Sequence, residues 1–176
     1  MVKMIRYRIT NKEDIEDISA KEFDCDDNVT GFFSINIKDN SYGYYHDREL
    51  KPGENGFSLI NYWVFSLLEA VHGFKNNSSI AISDIESIDN WVQLTANHDS
   101  VTINIVKHDK SGLPHLFNEP FPQEQDSSLL GVVNWNQFKE DVRIVTQQYI
   151  GDILSINPGL AESNSIKKLS HLLSFI

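Results

Sequence analysis

The chain of 176 residues carries 25 acidic and 15 basic side chains, so its formal net charge is −10. Such a charge repels phosphate backbones and anionic membrane surfaces. It therefore argues against nucleic-acid and membrane binding and favours a basic protein as the partner. Hydrophobic residues make up 40% of the chain, which excludes wholesale disorder and predicts a single domain over residues 1–176.

Targeting signals and disulfides are not predicted. Cys25 is the single cysteine, so an intramolecular disulfide is excluded, which is typical of a protein in a reducing compartment. The N-terminus lacks the unbroken apolar stretch of a signal peptide, and no apolar run is long enough to span a bilayer. We therefore expect a cytoplasmic protein.

The N-terminal part of the chain contains a predicted strand and most of the excess charge. Met4–Ile9 alternates apolar and polar residues, which predicts a strand. Residues 11–28 hold eight acidic residues against two lysines, a net charge of −6 out of the total −10. A solvated helix and loop is the ordinary interpretation, but clustering of one sign also suits a binding surface. Asp24, Asp26 and Asp27 are its candidate contact residues.

The following segment is a predicted hairpin. Alternating residues between Gly31 and Asp47 predict two strands, with Asp39-Asn40 as the turn because both residues tolerate positive φ. The second strand is predicted to end in aromatic and charged side chains, namely Tyr44, Tyr45, Asp47 and Glu49.

The stretch from Phe57 to Phe74 predicts a helix that is apolar around most of its circumference. Its polar positions fall in one arc, so we expect it to be buried on more than one side and to form the centre of the fold. Asn55 or Ser58 is predicted to cap its start, and Gly73 to lie just past its end. The polar arc consists of Ser58, Asn61, Ser66, Glu69, His72 and Gly73.

The remainder of the chain predicts four strands, one long loop and two helices. The strands are 79–83, 91–96, 101–106 and 129–133, and a polar loop with three prolines covers residues 108–127. A loop of this length is expected to be functional or mobile. Asn134 is predicted to cap a helix that Asn157-Pro158-Gly159 ends, and 163–176 predicts a last amphipathic helix. This element order predicts an α+β fold, with a mostly antiparallel sheet around the buried central helix.

No recognised catalytic or metal-binding motif is present, since the chain lacks CxxC, HExxH, GxSxG and glycine-rich phosphate loops. Two weaker groupings remain. Asp84, Glu86 and Asp89 form a carboxylate cluster of a kind that can hold a divalent cation, although such clusters are common on loops. His108, Asp109 and His115 form a second grouping, suited to general base catalysis but without a nucleophile at a recognisable spacing. We expect neither a metal nor a cofactor.

Four segments together resemble small bacterial immunity proteins that are encoded beside polymorphic toxins in contact-dependent growth inhibition. They are GFFSINIKDNSYGYYHD, PGENGF, LINYWVFSLLEAV and IAISDIESIDNW, and they lie mainly within residues 31–91. The resemblance implies a non-catalytic, cytoplasmic protein that binds a cognate toxin domain and blocks its active site. It also implies a basic, nuclease-type toxin, which an acidic inhibitor suits.

We therefore expect an inhibitor that binds a basic protein toxin through a preformed acidic patch with aromatic anchors. The predicted contact residues are Asp24, Asp26, Asp27, Tyr44, Tyr45, Asp47 and Glu49. Two alternatives stay open: a small enzyme that uses His108, Asp109 and His115, and an acidic scaffold or adaptor protein.

Overall fold

The computed structural model describes residues 3–26, 29–74, 78–119, 121 and 126–176, without the side chain of Asp26. Within these residues, antiparallel sheets and α-helices give the α+β fold that the sequence predicts. In chain order the elements are β1 (Ile5–Ile9), α1 (Lys12–Glu16), α2 (Ala20–Asp26), β2 (Thr30–Ile37), β3 (Asn40–Tyr44), β4 (Ser58–Leu59), α3 (Ile60–Gly73), β5 (Ser79–Ser83), β6 (Asn90–Asn97), β7 (Ser100–Lys107), β8 (Leu116–Phe117), β9 (Ser127–Asn134), α4 (Trp135–Ile156) and α5 (Asn164–Leu173).

The strands form two antiparallel sheets. The first has the order β1-β2-β3, with β4 also paired to β2, and the second has the order β8-β5-β6-β7-β9. The sheets meet where the amide of Asn40 donates to the carbonyl oxygen of Leu130, 2.9 Å away. Beside this contact, a Cβ on Gly131 would lie 2.4 Å from the Ile37 side chain, so only glycine fits. The two sheets therefore share one apolar core.

Helix α3 lies at the centre of that core, as its apolar circumference predicts. The indole ring of Trp63, in this helix, stacks on the ring of Phe33 in β2, with 4.9 Å between the ring centroids. At its other end, a Cβ on Gly73 would lie 2.5 Å from the Ile80 side chain of β5. Four residues that lie between these two positions are fully buried, namely Val64, Leu67, Leu68 and Ala70. Burying a valine or leucine side chain stabilises the fold by about 1.5–3 kcal/mol, so α3 contributes several such increments.

The two C-terminal helices complete the cover, and their predicted boundaries are close to the observed ones. The Asn134 side chain caps α4 by accepting from the backbone N–H of Asn136 and Gln137. A 3-10 turn over Pro158–Glu162 separates α4 from α5, and the Ser163 hydroxyl caps α5. Asn157 fixes the junction, because its amide donates to the carbonyl oxygens of Ile15 and Ile18, both at 2.9 Å.

The outer face of the second sheet carries a smaller apolar cluster. Trp91 and Val106 are buried there beneath Phe121, whose ring lies 5.2 Å from that of Trp91. The Trp91 indole N–H donates to the carbonyl oxygen of His108 at 3.0 Å. The described part of the 108–127 loop therefore includes a hydrophobic cover for the sheet, a role that its proline-rich, polar composition did not predict.

Three local predictions were wrong. The hairpin turn lies at Lys38-Asp39, with Lys38 at φ 54°, because β3 already begins at Asn40. Neither Asn55 nor Ser58 caps α3, whose N-cap residue is Leu59. A Glu86 carboxylate oxygen accepts from the backbone N–H of Leu59 at 2.7 Å. The predicted end of α3 was also displaced, since Gly73 is its last residue.

A further finding concerns membrane insertion. No helix within the described ranges combines the length and apolarity needed to cross a bilayer.

The central position of α3 predicts large stability losses on truncation of its buried side chains. Trp63→Ala is expected to cost about 3–5 kcal/mol and Leu67→Ala about 2–5 kcal/mol, because each leaves a cavity that the sheets cannot close. Ile88→Ala is the control, since its side chain is 93% exposed and its loss should change stability by less than about 0.5 kcal/mol. Urea unfolding measures all three, and a Leu67→Ala curve overlapping that of Ile88→Ala would contradict the central role of α3.

Candidate partner-binding site

Four of the predicted contact residues lie in one segment, residues 44–54, which we call the 44–54 segment. Two arginines of β1 hold this segment. The Arg6 guanidinium lies 3.8 Å from the Tyr45 ring centroid and 3.4 Å from a carboxylate oxygen of Asp47. Arg8 donates to the carbonyl oxygen of Arg48 at 2.7 Å. The segment is thus fixed to β1 through cation–π, ionic and main-chain contacts.

The far end of the 44–54 segment is closed by Glu54. Its carboxylate accepts from both terminal nitrogens of Arg48 and, at 3.0 Å, from the backbone N–H of Lys51. The hydrogen bond from Arg48 is the main reason that the pKa of Glu54 is lowered to about 2. Because the charged form has these donors, Glu54 holds the loop together rather than presenting its charge to a partner.

The side chain of His46 lies beneath this loop. Its ring packs on Phe32 at 4.3 Å between centroids, and Nε2 lies 3.5 Å from Glu54. Neither ring nitrogen has a hydrogen-bond partner among the described residues. His46 therefore supports the loop mainly by packing, and it gives Tyr44 a firm base because the Tyr44 ring contacts it edge-on at 5.5 Å.

The outward surface of the segment combines an aromatic ring with charges of both signs, because Arg48 and Lys51 are exposed on it as well as the two carboxylates. Tyr44 is 62% exposed although it packs against Phe32 and His46. Asp47 and Glu49 are also exposed. Tyr45, by contrast, is half-buried beneath Arg6 and lines two clefts of about 640 and 220 Å³ beside β1. Tyr44 therefore presents an exposed ring, whereas Tyr45 forms a wall of these clefts.

Asp24 has a structural role that its predicted role did not include. Its carboxylate accepts from the Ser163 hydroxyl at 2.7 Å and from the backbone N–H groups of Asn164 and Ser165 at 2.9 and 3.0 Å. These two N–H groups belong to the first turn of α5, where the helix dipole also favours negative charge. Mainly through them, the pKa of Asp24 is lowered to about 2.

The other two acidic candidates, Asp26 and Asp27, cannot be placed at the site. The side chain of Asp26 and the whole of Asp27 lie outside the described residues. Asp24 itself is directed to α5, since its carboxylate accepts from Ser163 and Asn164.

The alternative catalytic grouping is not assembled. Nδ1 of His108 lies 2.6 Å from the carbonyl oxygen of Asp109, and the Asp109 carboxylate accepts from the N–H and hydroxyl of Ser111. His115 instead lies 3.4 Å from Glu69 of α3. Each side chain thus has a different partner, and none of these contacts orients a histidine against the Asp109 carboxylate.

The carboxylate cluster after β5 is occupied by the chain's own groups. Buried Asp84 accepts from the Tyr42 hydroxyl and, at 3.0 Å, from the backbone N–H of Glu86. The Lys110 ammonium donates to the carbonyl oxygens of Asp84 and Ser87. Among the described residues, no group of three or more metal-binding side chains is placed to hold an ion.

Comparison with known proteins identifies no relative of this chain. No protein-family model, no curated protein and no solved structure matches the chain. Function has to be inferred from the geometry and charge of the chain's own residues.

The capping role of Asp24 predicts a defined pH dependence. The folded pKa of about 2 lies below the ordinary value of 3.8, so this stabilisation is present above pH 3.8 and is lost as the pH falls towards 2. At neutral pH, Asp24→Asn should lower the free energy of unfolding by about 0.3–1 kcal/mol, because it removes a negative charge at the N-terminus of α5. Urea unfolding measures the free energy of unfolding of parent and variant, and the difference between them should become smaller from pH 4 to pH 2. Asp17→Asn is the control, because it changes an exposed residue at the end of α1. A difference in unfolding free energy between parent and Asp24→Asn that does not depend on pH would contradict the role of Asp24.

Proposed function

We propose that this protein is a cytoplasmic immunity protein, which binds a basic, nuclease-type toxin domain and neutralises it by covering the toxin's active site. The observation that carries the proposal is the surface of the 44–54 segment, a fixed loop on which Tyr44, Asp47 and Glu49 are all exposed. Such a surface suits binding, because large aromatic side chains supply contact area with little loss of conformational freedom.

Charge supports a basic partner. The net charge of −10 attracts a cationic domain at a distance, and opposite fields raise the association rate. A nuclease is a suitable target because its active site has to attract phosphate, so its surface is positive where its substrate binds. Carboxylates that cover such a surface take the place of the nucleic-acid backbone.

The sequence resemblance to immunity proteins supports the same function. It is best over residues 31–91, and it marks no binding residue. On this proposal the protein performs no chemistry. It needs a rigid complementary surface, which the contacts of Arg6 and Arg8 supply. Inhibition follows from occupancy, since a substrate cannot enter an active site that the inhibitor covers.

The aromatic anchor can be tested with Tyr44→Ala. We expect the dissociation constant for the toxin domain encoded by the neighbouring gene to rise about 30-fold, because truncating an anchor residue costs about 2 kcal/mol or more. Phe175→Ala is the matched control, since Phe175 is an aromatic residue that is 57% exposed at the C-terminus. Surface plasmon resonance gives both constants, and equal affinities for the two variants would contradict binding through Tyr44.

The role of charge is tested separately with Glu49→Gln. Removing this carboxylate should slow association and make its rate less sensitive to salt, because salt screens charges over about 8 Å at physiological ionic strength. Glu119→Gln removes one charge from an exposed residue of the 108–127 loop and serves as the control. The measurement is the association rate of the parent and of both variants at two salt concentrations. If both variants slow association equally, only the net charge matters and the 44–54 segment is not the contact surface.

A further inference from the structure

The polar arc of α3 lines a cleft that none of the predicted contact residues borders. The cleft has a volume of about 410 Å³ and lies between α3, the start of α5 and His115. Tyr62 and Phe65 supply its aromatic walls, and Glu69 supplies a carboxylate. We call it the α3–α5 cleft. One buried acceptor among its described side chains has no hydrogen-bond donor.

That acceptor belongs to Asn61, in the first turn of α3. The residue is only 8% exposed, and its side-chain oxygen Oδ1 is buried without a hydrogen-bond partner among the described residues. Leaving a buried acceptor unpaired costs about 1–3 kcal/mol, so such atoms are rare unless another group pairs with them. Oδ1 itself is buried, but the terminal amide torsion of asparagine is broad, so rotation about it would turn Oδ1 to the cleft that Asn61 lines.

Two nitrogen groups already lie against the Glu69 carboxylate in the cleft, and one of them, Nε2 of His115, is 3.4 Å from Oε2. The Lys168 ammonium already lies 3.0 Å from a Glu69 carboxylate oxygen and 5.1 Å from the Phe65 ring centroid. This pairing shows that the carboxylate and the aromatic face together can hold a positive charge. An anion is disfavoured, because the Asp24 carboxylate already accepts from the N–H groups at the start of α5.

We propose that the α3–α5 cleft is a binding site for a guanidinium group. A guanidinium is flat enough to stack on Tyr62 or Phe65, carries N–H donors for Asn61 Oδ1, and has the charge that Glu69 attracts. A simple ammonium lacks the planar face and the parallel donors. The natural source is an arginine side chain of a basic partner, and in this respect alone the inference rests on the proposed function.

The cleft is tested without a toxin, with N-acetyl-arginine amide as the probe and N-acetyl-citrulline amide as its neutral, near-isosteric control. Titration of the ¹⁵N-labelled protein should shift the Asn61 side-chain amide and the backbone amides of α3 in a saturable way. The arginine probe should bind about tenfold more tightly than the citrulline probe, a difference of about 1.4 kcal/mol. Shifts that do not saturate, or equal affinities for the two probes, would overturn the inference.

Substitutions of Asn61 separate a ligand site from an accident of packing. Asn61→Leu should raise the unfolding midpoint, because it removes the unpaired acceptor, and should abolish the shifts caused by the arginine probe. Asn61→Asp keeps an acceptor and should retain the binding. Unchanged probe affinity in Asn61→Leu would show that Oδ1 plays no part. This outcome is distinguishable from failure of the proposed function, which depends on Tyr44 and on the toxin domain.

Competition with Lys168 provides an independent test. Lys168→Gln removes the cation that occupies the rim, so the arginine probe should bind more tightly to this variant than to the parent. Lys167→Gln is the matched control, because Lys167 pairs with Glu162 and does not line the cleft. Weaker binding to Lys168→Gln than to the control would overturn the cation assignment. It would favour an anionic ligand, which inorganic phosphate in the same titration would identify.

Discussion

Burial of α3 is the constraint on which the rest of the structure depends. The helix is apolar around most of its circumference, so one sheet cannot cover it. The first sheet supplies Phe33 against Trp63, the second supplies Ile80 beside Gly73, and α4 and α5 supply the remaining cover. The sheets are joined by few direct contacts, such as that of Asn40 with Leu130, and both depend on the helix between them for a common core.

Each sheet has one face on this core and a second face that needs its own cover. The 44–54 segment covers the first sheet with His46 on Phe32, and part of the 108–127 loop covers the second with Phe121 on Trp91. Both covers are irregular segments that are rich in polar residues. Their contacts explain why the first of them can present Tyr44 without losing its own position, since a loop fixed at Arg6, Arg8 and Glu54 has little freedom left to lose on binding.

Some carboxylates of the chain hold the fold together, and others stay exposed to solvent. Asp24 caps α5, Glu54 closes the 44–54 segment, and Asp84 accepts from Tyr42. These groups have donors within the chain and are poor candidates for binding a partner. Asp47 also has a donor, Arg6, but its side chain stays 83% exposed, and Glu49 is exposed as well. The net charge still acts at long range, because fields add over all carboxylates whatever their local partners.

The sequence alone determined the α+β class, the buried α3, most strands and the cap of α4 at Asn134, because these features depend on local periodicity and on side chains a few residues apart. Only the tertiary structure decided the division into two sheets and the role of Asp24, whose partners lie about 140 residues away along the chain. The same holds for the start of α3, where the N-cap residue is Leu59 and its N–H donates to Glu86, 27 residues away. The α3–α5 cleft was also beyond prediction. The sequence places Asn61 in a polar arc, but whether Oδ1 has a partner depends on how α5 and His115 pack beside it.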